Sequence, residues 1–240
     1  MRMKKIEFLV GKDTLVGHVF FPKVAKKKNK AFLIVHGRQS QQNRGFHLAR
    51  ALTRKGYIAM TFDLRGHGAS DRKIELLSRK NFLDDVVSAY DFLAETKGVD
   101  THNIVAVGSS FGGYLVSLLS AKRNVKALVL RVPANYQDKG FTKPQYTQRK
   151  QKARQEWKNR LQPHNACKSL RALHAFDGKV LIVESEKDEL VPQTVVQSYA
   201  NAVSHKKRLS YKIMKKAPHS ISKHPRFQKE YKNLMVDWLK

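Results

Sequence analysis

The chain has 240 residues, with 47 Lys and Arg against 19 Asp and Glu and a net charge of +28. That length and an apolar share of 41% suit one large domain with a real core. The single cysteine, Cys167, excludes an intrachain disulfide scaffold and favours a reducing, cytoplasmic compartment. The basic N-terminus carries only a short apolar run, broken at Gly11, Lys12 and Asp13, so neither a signal peptide nor a transmembrane span is expected.

In chain order, IEFLV and LVGHVFF within residues 5–21 flank GKD and read as a hairpin. AFLIV (31–35) is a strand ending in HGRQS. FHLARALTRKG is a helix closed by Gly56, and YIAMTFDL (57–64) is a strand ending in RGHGAS. NFLDDVVSAYDFLAETKG (81–98) has helical spacing. NIVAVGSS is a strand and FGGYLVSLLSAK a helix. VKALVLRVPA (125–134) and KVLIVESEKD (179–188) are strands, followed by helix PQTVVQSYANAV, strand RLSYKIMK and the amphipathic helix RFQKEYKNLMVDWLK. Continuous Val/Ile/Leu runs alternating with helices predict an α/β fold: a mostly parallel sheet with helices on both faces and an antiparallel hairpin at one edge.

Residues 135–178 interrupt this rhythm. They are polar, basic (Lys139, Lys143, Arg149, Lys150, Lys152, Arg154, Lys158, Arg160) and weakly patterned, with short helices expected at WKNRLQ and NACKSLRALHAF. The expected organisation is therefore one domain over 1–240 with a small lid-like insert at about 135–178. Phe141, Tyr146 and Trp157 either line an acyl or aryl pocket or pack the insert down.

Sites in parallel sheets form at the carboxyl ends of the strands. Gly108, Ser110 and Gly112 make a Gly-x-Ser-x-Gly turn between a buried strand and a helix. In that setting the central serine stands clear at a helix N-terminus, and the glycines leave room for the neighbouring backbone. Ser110 is the candidate nucleophile and Ser109 the spacer. A nucleophilic serine needs a base, and the base needs an orienting carboxylate. Asp188 lies just past KVLIV, and His219 lies in the loop after RLSYKIM, giving the order Ser, Asp, His. Glu184 and Glu186 are rivals for the acid, and His224 for the base. An oxyanion would take one N–H from Phe111 and one from the loop after AFLIV, where Arg38 leads and Gln39 follows.

With these residues in place the chain resembles the α/β-hydrolase superfamily. Within it, the chain resembles the compact serine hydrolases grouped with monoglyceride lipases, feruloyl-type esterases and serine aminopeptidases. The resemblance rests on His36-Gly37, the turn Asp63-Leu64-Arg65-Gly66-His67-Gly68-Ala69-Ser70, Gly108 to Gly113, Asp188 and His219, and spans about residues 5–240. It implies hydrolysis of an acyl substrate through an acyl-enzyme, by Ser110, His219 and Asp188, with no metal or organic cofactor. It also implies that Asp63 and Arg65 tie a loop together rather than act on substrate. The chain departs from the family in HGRQS, in APHSIS and in a short, basic insert, which disfavours a bulky acylglycerol.

The expected activity is hydrolysis of a carboxylic ester of small or medium acyl chain, with a small-molecule acyl substrate as partner. The alternatives are an aminopeptidase or thioesterase of the same superfamily, or, in a different class, a basic polyanion-binding protein on a hydrolase scaffold. A field of +28 attracts polyanions. No nucleic-acid-binding fold signature accompanies the basic clusters, however, and the charge reads as solvated surface that allows non-specific contact.

Overall fold

The computed structural model describes residues 1–24, 27–144 and 151–239, with side chains left out for 151–154. Eight strands form one sheet: β1 (Arg2–Val10), β2 (Asp13–Phe21), β3 (Asn29–Val35), β4 (Ile58–Phe62), β5 (Val99–Ser109), β6 (Ala127–Arg131), β7 (Lys179–Lys187) and β8 (Leu209–Pro218). Their order is β1-β2-β4-β3-β5-β6-β7-β8. β1 pairs antiparallel with β2, β2 antiparallel with β4, and every other pairing is parallel. This is the mixed sheet with an N-terminal hairpin that the sequence predicts.

The continuous apolar runs follow from burial on both faces. Ala31, Leu33 and Val35 of β3 face one core, while Phe32 and Ile34 face the other. β5, β6 and β7 divide the same way. The helices α1 (Phe46–Arg54) and α7 (Pro225–Trp238) cover one face. The other is covered by α2 (Arg79–Glu95), α3 (Phe111–Leu119), α5 (Lys168–His174) and α6 (Gln193–Ala202). β1 lies at the edge, and along it only Ile6, Phe8 and Val10 are buried.

In the interrupting segment, α5 falls inside NACKSLRALHAF as expected. The helix expected at WKNRLQ is displaced: α4 spans Gln151–Lys158, so only Trp157 and Lys158 of that stretch are helical. QKARQEWK is built of strong helix formers. Beyond it, Gln162 folds back and its amide donates to the carbonyls of Trp157 (2.8 Å) and Arg160 (3.2 Å), satisfying the helix end. No helix among the described residues is long and apolar enough to cross a membrane.

The Asp63–Ser70 turn is a structural clamp, as the resemblance implies. Arg65 Nε donates to Asp85 Oδ1 at 2.5 Å, Nη1 to Asp13 Oδ2 at 2.9 Å and Nη2 to the Asn81 carbonyl at 2.7 Å. Asp63 accepts from the Gln42 backbone N–H (2.8 Å) and side-chain amide (2.9 Å), which anchors the loop after β3. Asp85 is fully buried, and burial raises its carboxyl to about 7 even beside Arg65, so without that cation it must take up a proton or stay as an unpaired charge in the core. Arg65→Ala is expected to cost about 3–5 kcal/mol in urea unfolding followed by tryptophan fluorescence.

Candidate active site

Ser110 lies where β5 hands over to α3, with φ +53° and ψ −116°. Its N–H donates to the Arg131 carbonyl (2.9 Å), and its own carbonyl accepts from Ala134 (3.0 Å) and Tyr114 (3.2 Å). The two glycines of the motif are required by space. A Cβ on Gly108 would sit 2.3 Å from the Gly112 carbonyl oxygen, and one on Gly112 would sit 2.3 Å from that of Val35. Backbone passes too close for any side chain at either position.

Of the carboxylates after β7, Asp188 reaches the His219 ring, with Nδ1 2.7 Å from Oδ2 and 2.9 Å from Oδ1. Asp188 Oδ1 also accepts from the N–H groups of Leu190 (2.9 Å) and Val191 (2.7 Å), so its own turn fixes it. The rivals are engaged elsewhere. Glu184 bonds Gln193 and Tyr211, and Glu186 bonds Lys215 and the Lys216 N–H. His224 is exposed at the start of α7. Sequence reasoning missed two groups that hold the His219 backbone: Glu189 accepts its N–H (3.1 Å) and Arg131 Nη2 donates to its carbonyl (2.9 Å). Neither residue belongs to a motif; only the fold brings them there.

The loop after β3 is held by two buried histidines. His36 Nδ1 donates to the Gly37 carbonyl (2.6 Å), and its Nε2 accepts from the Leu64 N–H (3.1 Å). His67 Nδ1 donates to the Arg65 carbonyl (2.9 Å), and its Nε2 accepts from the Gln39 N–H (3.2 Å). Each ring thus uses one nitrogen as donor and one as acceptor, which requires the neutral form. Burial favours that form: it pushes His67 down and takes His36 down to about 4.

A cavity of about 590 Å³ holds both Ser110 and His219, and Arg38, Tyr136, Lys158 and Leu190 also line it. Among its described lining residues none is Asp or Glu. Of the aromatics in the segment after β6, Phe141 and Trp157 pack against the core rather than line this cavity. Tyr136 lines it instead, unmarked in the sequence because its ring partners, Phe111 and Tyr114, are distant in the chain. Tyr146, like Arg149 and Lys150, lies outside the described residues.

The sheet topology and this constellation define a serine hydrolase of the α/β-hydrolase superfamily. More particularly, the chain belongs to the prolyl oligopeptidase family, whose model matches residues 43–240. No curated protein matches the chain by sequence. Similar solved structures include Est1E from Butyrivibrio proteoclasticus with ferulic acid bound (19% identity, 97% of this chain and 98% of that one, TM-score 0.73). An α/β serine hydrolase homologue from Coxiella burnetii is similar over 99% and 97% of the two chains, at 21% identity and TM-score 0.71. Acylaminoacyl peptidase from Pyrococcus horikoshii matches 99% of this chain with 41% of its own, at 18% identity and TM-score 0.75.

The neutral His36 gives a signed pH dependence. Its folded-state value of about 4 lies below the usual 6.5, so on acidification the unfolded chain takes up the proton first. The stability it contributes is whole above about pH 6.5 and is lost as pH falls through about 4, an effect of about 3 kcal/mol. Urea unfolding from neutral to acidic pH is expected to show this loss, and His36→Gln to lack that share of it.

Proposed function

We propose that the chain hydrolyses carboxylic esters of small or medium acyl chain through an acyl-enzyme on Ser110. The observation that carries this reading is His219, bonded to Asp188 at 2.7 Å and lining one cavity with a serine on a strained turn. With Nδ1–H given to Asp188, Nε2 is the ring's acceptor. It takes the proton of Ser110 Oγ as that oxygen bonds to the acyl carbon, and the carbonyl π electrons move onto oxygen. The oxyanion is met by the N–H groups of Phe111 and Arg38. Gln39, the other candidate in that loop, gives its N–H to His67. Collapse of the intermediate breaks the ester C–O bond, and His219 returns the proton to the leaving alkoxide. Water then repeats the sequence and frees the acid and Ser110. Asp188 holds the tautomer and stabilises the imidazolium.

Residues 1–240 are read here as one catalytic domain. The segment 135–178 would serve as its lid, since Tyr136 and Lys158 from that segment line the cavity. A free N-terminal amine would call for a carboxylate, and the described cavity lining holds none. The family match supports peptide-bond cleavage as a second reading; taken with the likeness to an acylaminoacyl peptidase, an N-acylated peptide is the version that needs no such carboxylate and uses the same three residues.

Intact-mass analysis after fluorophosphonate treatment tests the mechanism. Wild type is expected to take a single adduct and Ser110→Ala none. Turnover of a p-nitrophenyl acyl ester should fall by about 10⁴-fold or more in Ser110→Ala and His219→Ala. A folded wild type that takes no adduct would refute the reading. Parallel assays with an N-acyl amino-acid amide separate the ester and peptide versions.

A further inference from the structure

The cavity does not stop at Ser110. Its lining continues to His47 near the start of α1, Tyr231 midway along α7 and Arg131 at the end of β6. Among the described residues, four buried side-chain polar atoms have no hydrogen-bond partner. Two of them, His47 Nε2 and Tyr231 Oη, belong to this lining. A buried hydroxyl without a partner costs about 1–3 kcal/mol, so a lone orphan calls for an explanation and two in one lobe call for a shared one. Burial pushes the Tyr231 phenol up to about 12, so it keeps its proton and is a donor without an acceptor.

Arg131 adds to the imbalance. It is only 6% exposed and stays charged at any working pH. Its acceptors are the Ser109 hydroxyl at 3.3 Å, the Ser185 hydroxyl at 3.4 Å and the His219 carbonyl at 2.9 Å, all neutral. Its guanidinium carbon lies 5.9 Å from the centre of the Tyr231 ring. Asp188 acts on it only through space, its oxygens being committed to His219, Leu190 and Val191. A buried cation is stable when a carboxylate faces it, and here the chain supplies none in contact.

We infer that this lobe receives a carboxylate carried by the ester substrate, taken by the Arg131 guanidinium and the Tyr231 hydroxyl. The planar guanidinium fork suits two carboxylate oxygens. Ser109 Oγ accepts from the same guanidinium, so the anion would lie one residue from Ser110 along the turn. The substrates are then esters with a free carboxylate on one side of the scissile bond. The inference rests on the hydrolase reading of Ser110.

The test compares matched esters at equal chain length. One pair carries the charge in the acyl part (the p-nitrophenyl monoester of glutaric acid against p-nitrophenyl valerate). The other carries it in the leaving group (4-carboxyphenyl butyrate against phenyl butyrate). The carboxylate member of one pair is expected to have a kcat/KM about tenfold or more above its neutral twin. Because +28 of surface charge attracts any anion, the preference is read again in about 1 M NaCl, where the Debye length is about 3 Å. A buried contact keeps its preference there; surface steering loses it. Tyr231→Phe removes only the orphan oxygen. It is expected to cut the preference about tenfold while melting no lower than wild type. A wild type that labels at Ser110 yet shows no preference, or one erased by salt, or one untouched in Tyr231→Phe, overturns the carboxylate lobe and leaves the hydrolase reading standing. Absence of labelling on folded wild type overturns the hydrolase reading and this inference with it.

Discussion

Ser110 holds a backbone conformation with φ +53°, in a region where a residue with a side chain costs of order 1–3 kcal/mol. Nothing in the turn itself offsets that; the neighbouring strand does. The Ser110 N–H is tied to the carbonyl of Arg131, and its carbonyl to the N–H of Ala134. Between those two anchors lies Val132, a β-branched residue at φ +40°, itself held by a bond from its N–H to the Val183 carbonyl (2.8 Å). Two strained turns on adjacent strand ends therefore brace each other, and both hang on the parallel register of β5, β6 and β7. The same bracing delivers the Arg131 side chain behind the serine, where it reaches Ser109 and the carbonyl of His219. The serine's geometry, the backbone of the histidine loop and the charge beneath them are consequences of one arrangement.

Three histidines at the sheet's carboxyl end show how partners divide one side chain into different tasks. His36 and His67 have a backbone carbonyl on Nδ1 and a backbone N–H on Nε2. Both nitrogens are spent, and the rings act as fixed struts between the 36–39 and 63–67 loops. His219 has a carboxylate on Nδ1 and a cavity around it. A ring with one nitrogen anchored to an anion and the other committed to no backbone group suits the proposed role of proton carrier. Asp63 and Arg65 stand one step further back. Through Gln42, Asp13 and Asp85 they set the loops that the struts connect.

What could be read from the chain follows the range of the signal. The strand runs were legible because burial on both faces leaves an uninterrupted apolar stretch that needs no knowledge of its neighbours. Gly108, Ser110 and Gly112 were legible because the clash that forbids a Cβ at 108 is with residue 112 itself. Asp188 and His219 were placed together by the fold's strand order rather than by any local pattern, and they do meet. Legibility ended where contacts cross the chain without periodicity. Arg131 looks like the polar end of a strand, yet it is buried against residues 22 and 88 positions away. Tyr136 and Tyr231 line the cavity from distant parts of the sequence. The helix at 151–158 was misplaced toward WKNRLQ because its end is decided by Gln162 folding back, an event invisible to propensity.

Charge sharpens the chemistry that such a cleft can perform. With 47 basic residues on the chain, a cation in any cavity would be unremarkable; a cation shielded from water and given only neutral acceptors is not. At the surface, Lys and Arg keep their hydration and constrain nothing. Arg131 is shielded from most of that water, so its field is screened less on whatever enters beside Ser110. In the proposed reaction that positive field would favour negative charge developing beside Ser110. An anion bound against Arg131 would supply the counter-charge that its three neutral acceptors do not. In the proposed reaction the buried cation would thus tie recognition to position: the charge that seats a carboxylate is the one that reaches Ser109, one residue from Ser110.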